Sequence, residues 1–220
     1  MSITKNLQDI QSQVPENVTL VAVSKTKPVS DIMQAYEAGQ RIFGENKIQD
    51  MVDKYEEMPK DIAWHMIGHV QRNKVKYMAH FVSLIHGVEN FKTLKEINKQ
   101  AAKHDRNIDC LLQIKIASED SKFGMTADEA SEILQSSEFS ELKNITVIGV
   151  MGMATFTEDQ EQIRSEFQLL KSIFEDLKKV NHKFTTISMG MSGDFKLAIN
   201  CGSTMVRVGS SIFGDRNYNN

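Results

Sequence analysis

From residue 18 onward, short apolar runs alternate with amphipathic stretches. Eight runs read as strands: VTLVAVS (18–24), RIFG (41–44), AWHMIG (63–68), FVSLIHGV (81–88), IDCLLQIKI (108–116), ITVIGVMGM (145–153), TTISMG (185–190) and TMVRVG (204–209). Continuous apolar runs of this length fit strands buried on both faces, as in parallel sheets. Helical patterns lie between them. VSDIMQAYEAG offers Ser30 as an N-cap and Gly39 as a C-terminal stop. NKIQDMVDKYEEM, QRNKVKYMA, NFKTLKEINKQAAKHD and TADEASEILQSS follow the second to fifth strands, and GDFKLAIN follows the seventh. In the longest pattern (158–180), Ile163, Phe167, Leu170, Phe174 and Leu177 step by four and three. That stripe reads as an amphipathic helix laid on a sheet, in preference to a coiled coil of few heptads. Eight β/α units in one chain predict a single (β/α)8 TIM barrel domain over residues 1–220. An open doubly wound sheet is the alternative, but the dinucleotide fingerprint and the Walker A motif are absent.

Composition narrows the function classes. The chain has 220 residues and a net charge of −3, which argues against a nucleic-acid binder working by bulk electrostatics. The N-terminal MSITKNLQDIQSQVPENV lacks an apolar core of signal-peptide length, and no later run is long enough to cross a bilayer. The expectation is a soluble cytoplasmic protein. Cys110 and Cys201 lie far apart and are expected to be buried free thiols. The six histidines lack zinc-type spacing, so no metal is expected.

In a β/α barrel the chemistry sits at the C-terminal ends of the strands. The first strand ends in Ser24 and Lys25, the second in Glu45 and Asn46, the third in His65, and the fourth in His86. The seventh ends in SMGMSGD, with Ser192, Gly193 and Asp194; the eighth ends in MVRVGSSIFG, with Arg207, Gly209 and Ser210. Two Gly/Ser turns at the seventh and eighth strand ends form a candidate phosphate cradle of converging backbone N–H groups. Ordinary N-caps would have the same composition. A lysine at a strand end, partly desolvated, can lose its proton and attack a carbonyl. A surface-snorkelling lysine is the bland alternative. Lys25 together with a phosphate cradle points to a phosphorylated aldehyde or ketone, bound by either a sugar-phosphate aldolase or a pyridoxal phosphate (PLP) protein. Arg207, two residues before Gly209, is placed to meet the ring or an acidic group of the same ligand.

VAVSKTKP, FGENKIQD, WHMIGHVQRNK, SKFGM, SMGMSGD and GSTMVRVGSSIFG, in this order, resemble the pyridoxal phosphate homeostasis protein family. The resemblance runs from about Val18 to Asp215. It implies a PLP-binding barrel like the N-terminal domain of alanine racemase. It further implies Lys25 as the Schiff-base lysine, Ser192, Gly209 and Ser210 as phosphate ligands, and Arg207 facing the pyridine nitrogen. Asn46 and Met189 are implied to lie at the pocket. His69 stands where other members carry proline.

An arginine at the ring nitrogen disfavours its protonation and makes the ring a poorer electron sink. Racemisation also needs acid and base groups on both faces of the substrate. In alanine racemases a tyrosine from a second domain serves one face, and this chain stops at Asn220. The expectation is therefore a PLP carrier in vitamin B6 homeostasis, a monomer whose partners are PLP and apo PLP-dependent enzymes. A weak amino-acid racemase is the alternative. Lys122 reads as a loop charge, a second pocket lysine or a transient PLP holder. Met151, Met153, Met189 and Met191 are expected to line the pocket.

Overall fold

A computed structural model describes residues 2–118 and 123–214. In chain order the elements are α1 (Ile3–Gln11), β1 (Thr19–Val23), α2 (Val29–Glu37), β2 (Ile42–Glu45), α3 (Ile48–Glu57), β3 (Ala63–Met66), α4 (Val75–Met78), β4 (Leu84–Val88) and α5 (Phe91–Ala102). They continue as β5 (Ile108–Gln113), α6 (Ala127–Gln135), α7 (Ser137–Ser140), β6 (Ile145–Met151), α8 (Gln160–Val180), β7 (Thr186–Ser188), α9 (Phe195–Asn200), β8 (Met205–Val208) and α10 (Ser210–Phe213). The strands pair in parallel, in sequence order, and β8 closes onto β1. This is the (β/α)8 barrel that the alternation predicts; seven of the eight apolar runs contain a whole strand, and β2 runs one residue past the second, to Glu45.

Closure divides the apolar side chains into two cores. Val21, Leu84, Leu111, Met151 and Met205 fill the barrel interior. A larger core, with Phe43, Trp64, Phe167 and Phe184 fully buried, lies between strands and helices. Strands sandwiched this way need apolar residues on both faces, which explains the unbroken runs.

Several local expectations change. The chain opens with α1, whose Ile3, Leu7 and Ile10 are buried and which packs on α10. Ser30 is not an N-cap: α2 starts one residue earlier, with Pro28 in the cap position and no side-chain cap bond. Pro28 is extended, at φ −70°, ψ 158°, and the helix begins directly after it. Gly39 does end that segment, at φ +101°. QRNKVKYMA is a 3₁₀ turn (Arg72–Lys74) running into the single turn of α4. Side chains cap three of the longer helices: Asn90 caps α5, Asp159 caps α8, and Thr126 with Glu129 forms a capping box on α6. Both cysteines are free, Cys110 buried and Cys201 only partly so, because Cys201 terminates the short surface helix α9. Among the described residues no helix is long and apolar enough to cross a membrane.

Candidate functional site at the barrel mouth

The strand order β7–β8–β1–β2 is contiguous in the closed barrel. Lys25 follows β1, Asn46 follows β2, Met189 and Ser192 follow β7, and Arg207, Gly209 and Ser210 belong to or follow β8. The fold therefore gathers the seven predicted site residues on four neighbouring strands, at their C-terminal ends.

Lys25 is half-buried in a turn closed by Lys27 N–H donating to the Ser24 carbonyl at 3.1 Å. Thr26 takes φ +64°, a left-handed conformation uncommon for a β-branched residue. Under this turn lies a buried polar network. Ser24 Oγ donates to Glu45 Oε1 at 2.5 Å, and Lys54 Nζ donates to the same oxygen at 2.7 Å and to the Ser24 carbonyl at 2.9 Å. Glu45 is fully buried, and its Oε2 has no hydrogen-bond partner among the described residues. Burial pushes the Glu45 carboxyl above its ordinary range, outweighing the attraction of Lys54 and the bonds from Lys54 and Ser24.

The predicted cradle takes a defined form. Gly209 N–H and Ser211 N–H both point at Ser192 Oγ, at 3.1 and 3.4 Å. Two N–H groups at the start of α10 thus converge on one oxygen, the arrangement that receives an anion. A Cβ on Gly209 would lie 3.1 Å from the Val23 carbonyl oxygen and 3.2 Å from Val23 Cβ, so the cradle packs directly on the strand that leads to Lys25. Ser210 is exposed beside it. The preceding turn is closed by Met191 N–H donating to Asp194 Oδ1 at 2.5 Å. Burial raises the Asp194 carboxyl, and the bond from Met191 and the charge of Arg207 oppose this.

Arg207 pairs in register with Val21 of the interior core and is 4% exposed. Its Nη1 donates to the Ser188 carbonyl (2.8 Å) and Ser188 Oγ (2.5 Å), and its Nη2 donates to the Gly152 carbonyl (3.1 Å). Among the described residues these bonds use three of the five guanidinium N–H donors, which leaves two for a further acceptor. Burial lowers its pKa to about 10, which Asp194 opposes. Arg207 therefore stays cationic at neutral pH. Ser188 Oγ lies 3.0 Å from His86 Nδ1, and His86 Nε2 lies 3.1 Å from His65 Nδ1. Burial takes His65 down to about 3; burial first, then His65 and Arg207, hold His86 well below the usual histidine range. Both rings are neutral at physiological pH.

Met189 departs from its expected place. Its side chain is fully buried in the outer core with Ile187, because Ile187 and Met189 share one face of β7 and its extension, while Ser188 takes the other. Met151 belongs to the interior core, Met153 packs against that core, and Met191 is partly exposed. His69 is exposed, with Nδ1 3.1 Å from Glu89 Oε2 and its ring 5.7 Å from Phe123. Lys122 lies outside the described residues. An open hollow of about 550 Å³ borders Gln71, Arg72 and Asn73, and another of about 260 Å³ lies over Thr26, Lys27 and Lys54; neither is lined by the cradle residues. Ser188, Gly152 and Lys54 had no role in the sequence reading, and Glu45 stood there only as a residue at a strand end. His86 was visible there as a polar residue ending an apolar strand, without a partner.

A lysine, an N–H cradle and an arginine with spare donors, side by side at a barrel mouth, suit a phosphorylated aldehyde with an aromatic nitrogen. The fold and these residues define the class of β/α barrel found as the first domain of alanine racemases. The family profile described as "Alanine racemase, N-terminal domain" matches residues 1–217. The chain is 38% identical to the pyridoxal phosphate homeostasis protein of Vibrio alginolyticus, over 99% of each chain. It is 36% identical to that of Escherichia coli strain K12, over 93% of this chain and 88% of the relative. Among solved structures, PipY of Synechococcus elongatus PCC7942 with PLP bound superposes with a TM-score of 0.88 at 30% identity, covering 96% of this chain and all of PipY. The Clostridium difficile 630 alanine racemase shares the fold, with a TM-score of 0.79 at 14% identity and 57% of its length covered. The chain belongs to the pyridoxal phosphate homeostasis protein family.

Proposed function

We propose that this protein is a single barrel domain over residues 1–220 that binds PLP on Lys25 and serves intracellular vitamin B6 homeostasis. The observation that carries this reading is the juxtaposition at β7–β8–β1–β2 of Lys25, the N–H cradle and Arg207. The relatives named for PLP homeostasis and the PLP-bound PipY structure support it.

Each residue has a role. Lys25 would hold the cofactor through its aldehyde carbon. Gly209, Ser210 and Ser192 would hold the phosphate, Arg207 would offer donors to the ring nitrogen, and Asn46 would stand beside them at the neighbouring strand end. Met189, buried on the outer side, acts by anchoring the turn that leads to Ser192; its N–H donates to the Met205 carbonyl.

When bound, PLP supplies an electron-withdrawing ring that stabilises carbanions. A cation at the ring nitrogen opposes protonation there and weakens that withdrawal. The site is thus better suited to holding the cofactor than to turning over amino acids, and a holder passes PLP to apo enzymes. We read the protein as a cytoplasmic monomer that uses neither nucleic acid nor membrane as a partner.

Borohydride reduction of the PLP-treated protein, followed by peptide mass mapping, tests the assignment. The phosphopyridoxyl mass should fall on Lys25, and Lys25→Ala should lose it. Label elsewhere with equal yield refutes it. Rapid, Lys25-dependent hydrogen exchange at the Cα of an amino acid would replace the carrier reading with the racemase one.

A further inference from the structure

We propose that Ser188 and His86 are positioning residues for Arg207, joined in a one-way hydrogen-bond chain that runs Arg207 → Ser188 → His86 → His65 through the barrel interior. This rests on the reading that Arg207 faces the ring of the bound cofactor.

The direction follows from donor counting. Arginine has no acceptor, so Ser188 Oγ accepts on the 2.5 Å contact with Arg207. A serine hydroxyl has one proton to give. Among the described residues, the other hydrogen-bond neighbour of that oxygen is His86 Nδ1, at 3.0 Å. The proton therefore goes to Nδ1. A neutral His86 then carries its own proton on Nε2 and donates it to His65 Nδ1, at 3.1 Å. All four groups are buried: Ser188 and His86 are 0% exposed, Arg207 4% and His65 5%. Each bond in such a chain polarises the next, and the low dielectric strengthens the effect.

The chain does two things for Arg207. It turns a lone pair of Ser188 toward the guanidinium, and with the Ser188 and Gly152 carbonyls it fixes the plane of that group from three acceptors. It does so with neutral partners. Among the described residues no carboxylate forms an ion pair with Arg207, and Asp194 acts only through its charge. A carboxylate here would neutralise the arginine. Serine backed by a histidine orients it and leaves its positive charge for the ligand.

The experiment has two arms. In the PLP-free protein, ¹⁵N NMR of the histidine rings should show His86 neutral with its proton on Nε2, and Ser188→Ala should shift the His86 Nδ1 signal. In the PLP-loaded protein, Ser188→Ala and His86→Leu should each weaken PLP binding about tenfold, the scale of one hydrogen bond to a charged group. Both should displace the absorption maximum of the bound cofactor while borohydride still fixes the label on Lys25. His86→Gln, which can still accept from Ser188, should lie nearer the wild type. A His86 proton found on Nδ1 overturns the chain. So do wild-type affinity and spectrum in both Ser188→Ala and His86→Leu, or a His86→Gln indistinguishable from His86→Leu. A wild-type protein that takes up no PLP overturns the functional reading and the cofactor end of this inference together, and the NMR arm then decides the chain alone.

Discussion

Lys54→Met is the perturbation whose size the structure constrains best. The Lys54 ammonium touches Glu45 Oε1 at 2.7 Å and the Ser24 carbonyl at 2.9 Å, and the Glu45 side chain is wholly inaccessible. Among the described residues Glu45 Oε2 lacks a hydrogen-bond partner, so the carboxylate depends on one oxygen for its compensation. Methionine keeps the apolar stem and removes the charge. An exposed pair would lose about 0–1 kcal/mol. A buried carboxylate stripped of its cation should cost about 3–5 kcal/mol, a large share of a typical domain stability of about 5–15 kcal/mol. The loss should depend on pH. The folded protein raises the Glu45 carboxyl above its unfolded value, and removing Lys54 takes away an opposing attraction. A group raised in the folded state stabilises most below its unfolded pKa, and that contribution disappears as pH rises through the folded value. Urea unfolding should therefore show the full deficit at about pH 8 and a smaller one at about pH 5. Glu45→Gln combined with Lys54→Met should recover part of the deficit at the higher pH. A deficit that is equal at both pH values, or under about 1 kcal/mol at about pH 8, refutes the reasoning.

Two further outcomes are expected. Gly209→Ala places a methyl 3.1 Å from the Val23 carbonyl, so β8 and β1 must part by a few tenths of an ångström and the cradle N–H groups move with them; PLP affinity measured by absorbance titration should fall about tenfold, with Lys25 still the labelled residue. Glu166, 8% exposed, accepts from Thr155 N–H (2.6 Å), Thr155 Oγ1 (2.7 Å) and Ser118 N–H (3.4 Å), tying the loops after β5 and β6 to α8; Glu166→Ala should cost about 1–3 kcal/mol and speed hydrogen exchange at Ser118 and Thr155, and unchanged exchange there would count against the tie.

The barrel was legible because its strands are sandwiched. Each needs apolar residues on both faces, and runs such as LVAV and IDCLL announce that without reference to partners. The α1 stripe is also present in the sequence, since Ile3, Leu7 and Ile10 step by four and three, but it lies ahead of the first β/α unit and outside the alternation. The site was legible only in part. Lys25, Ser192, Arg207 and Gly209 stand at strand ends, which local pattern locates. The partners of Arg207 are another matter. Ser188 and His86 are 102 residues apart, and their contact depends on the register of a closed sheet. Lys54 and Glu45 meet because a helix folds back on its own strand, and the helical pattern of KIQDMVDKYEE does not reveal that a lysine faces inward. Met189 stands at a strand end, and that position alone does not tell which face its side chain takes; the structure buries it in the outer core.

Two glycines on the far side of the mouth bear on how this family could change. A Cβ on Gly68 would fall 2.3 Å from the Asn46 carbonyl oxygen, and one on Gly87 would fall 2.3 Å from the Gly68 carbonyl oxygen. Backbone lies against backbone from β2 through β3 to β4, with no room for a side chain between. Substitution cannot widen or narrow that arc of the rim without breaking it. Drift in what the pocket admits has more freedom in the adjoining arc, where side-chain bonds from Glu166, Gln162 and Thr155 hold the loops after β5 and β6. The mouth thus has a fixed jaw and an adjustable one.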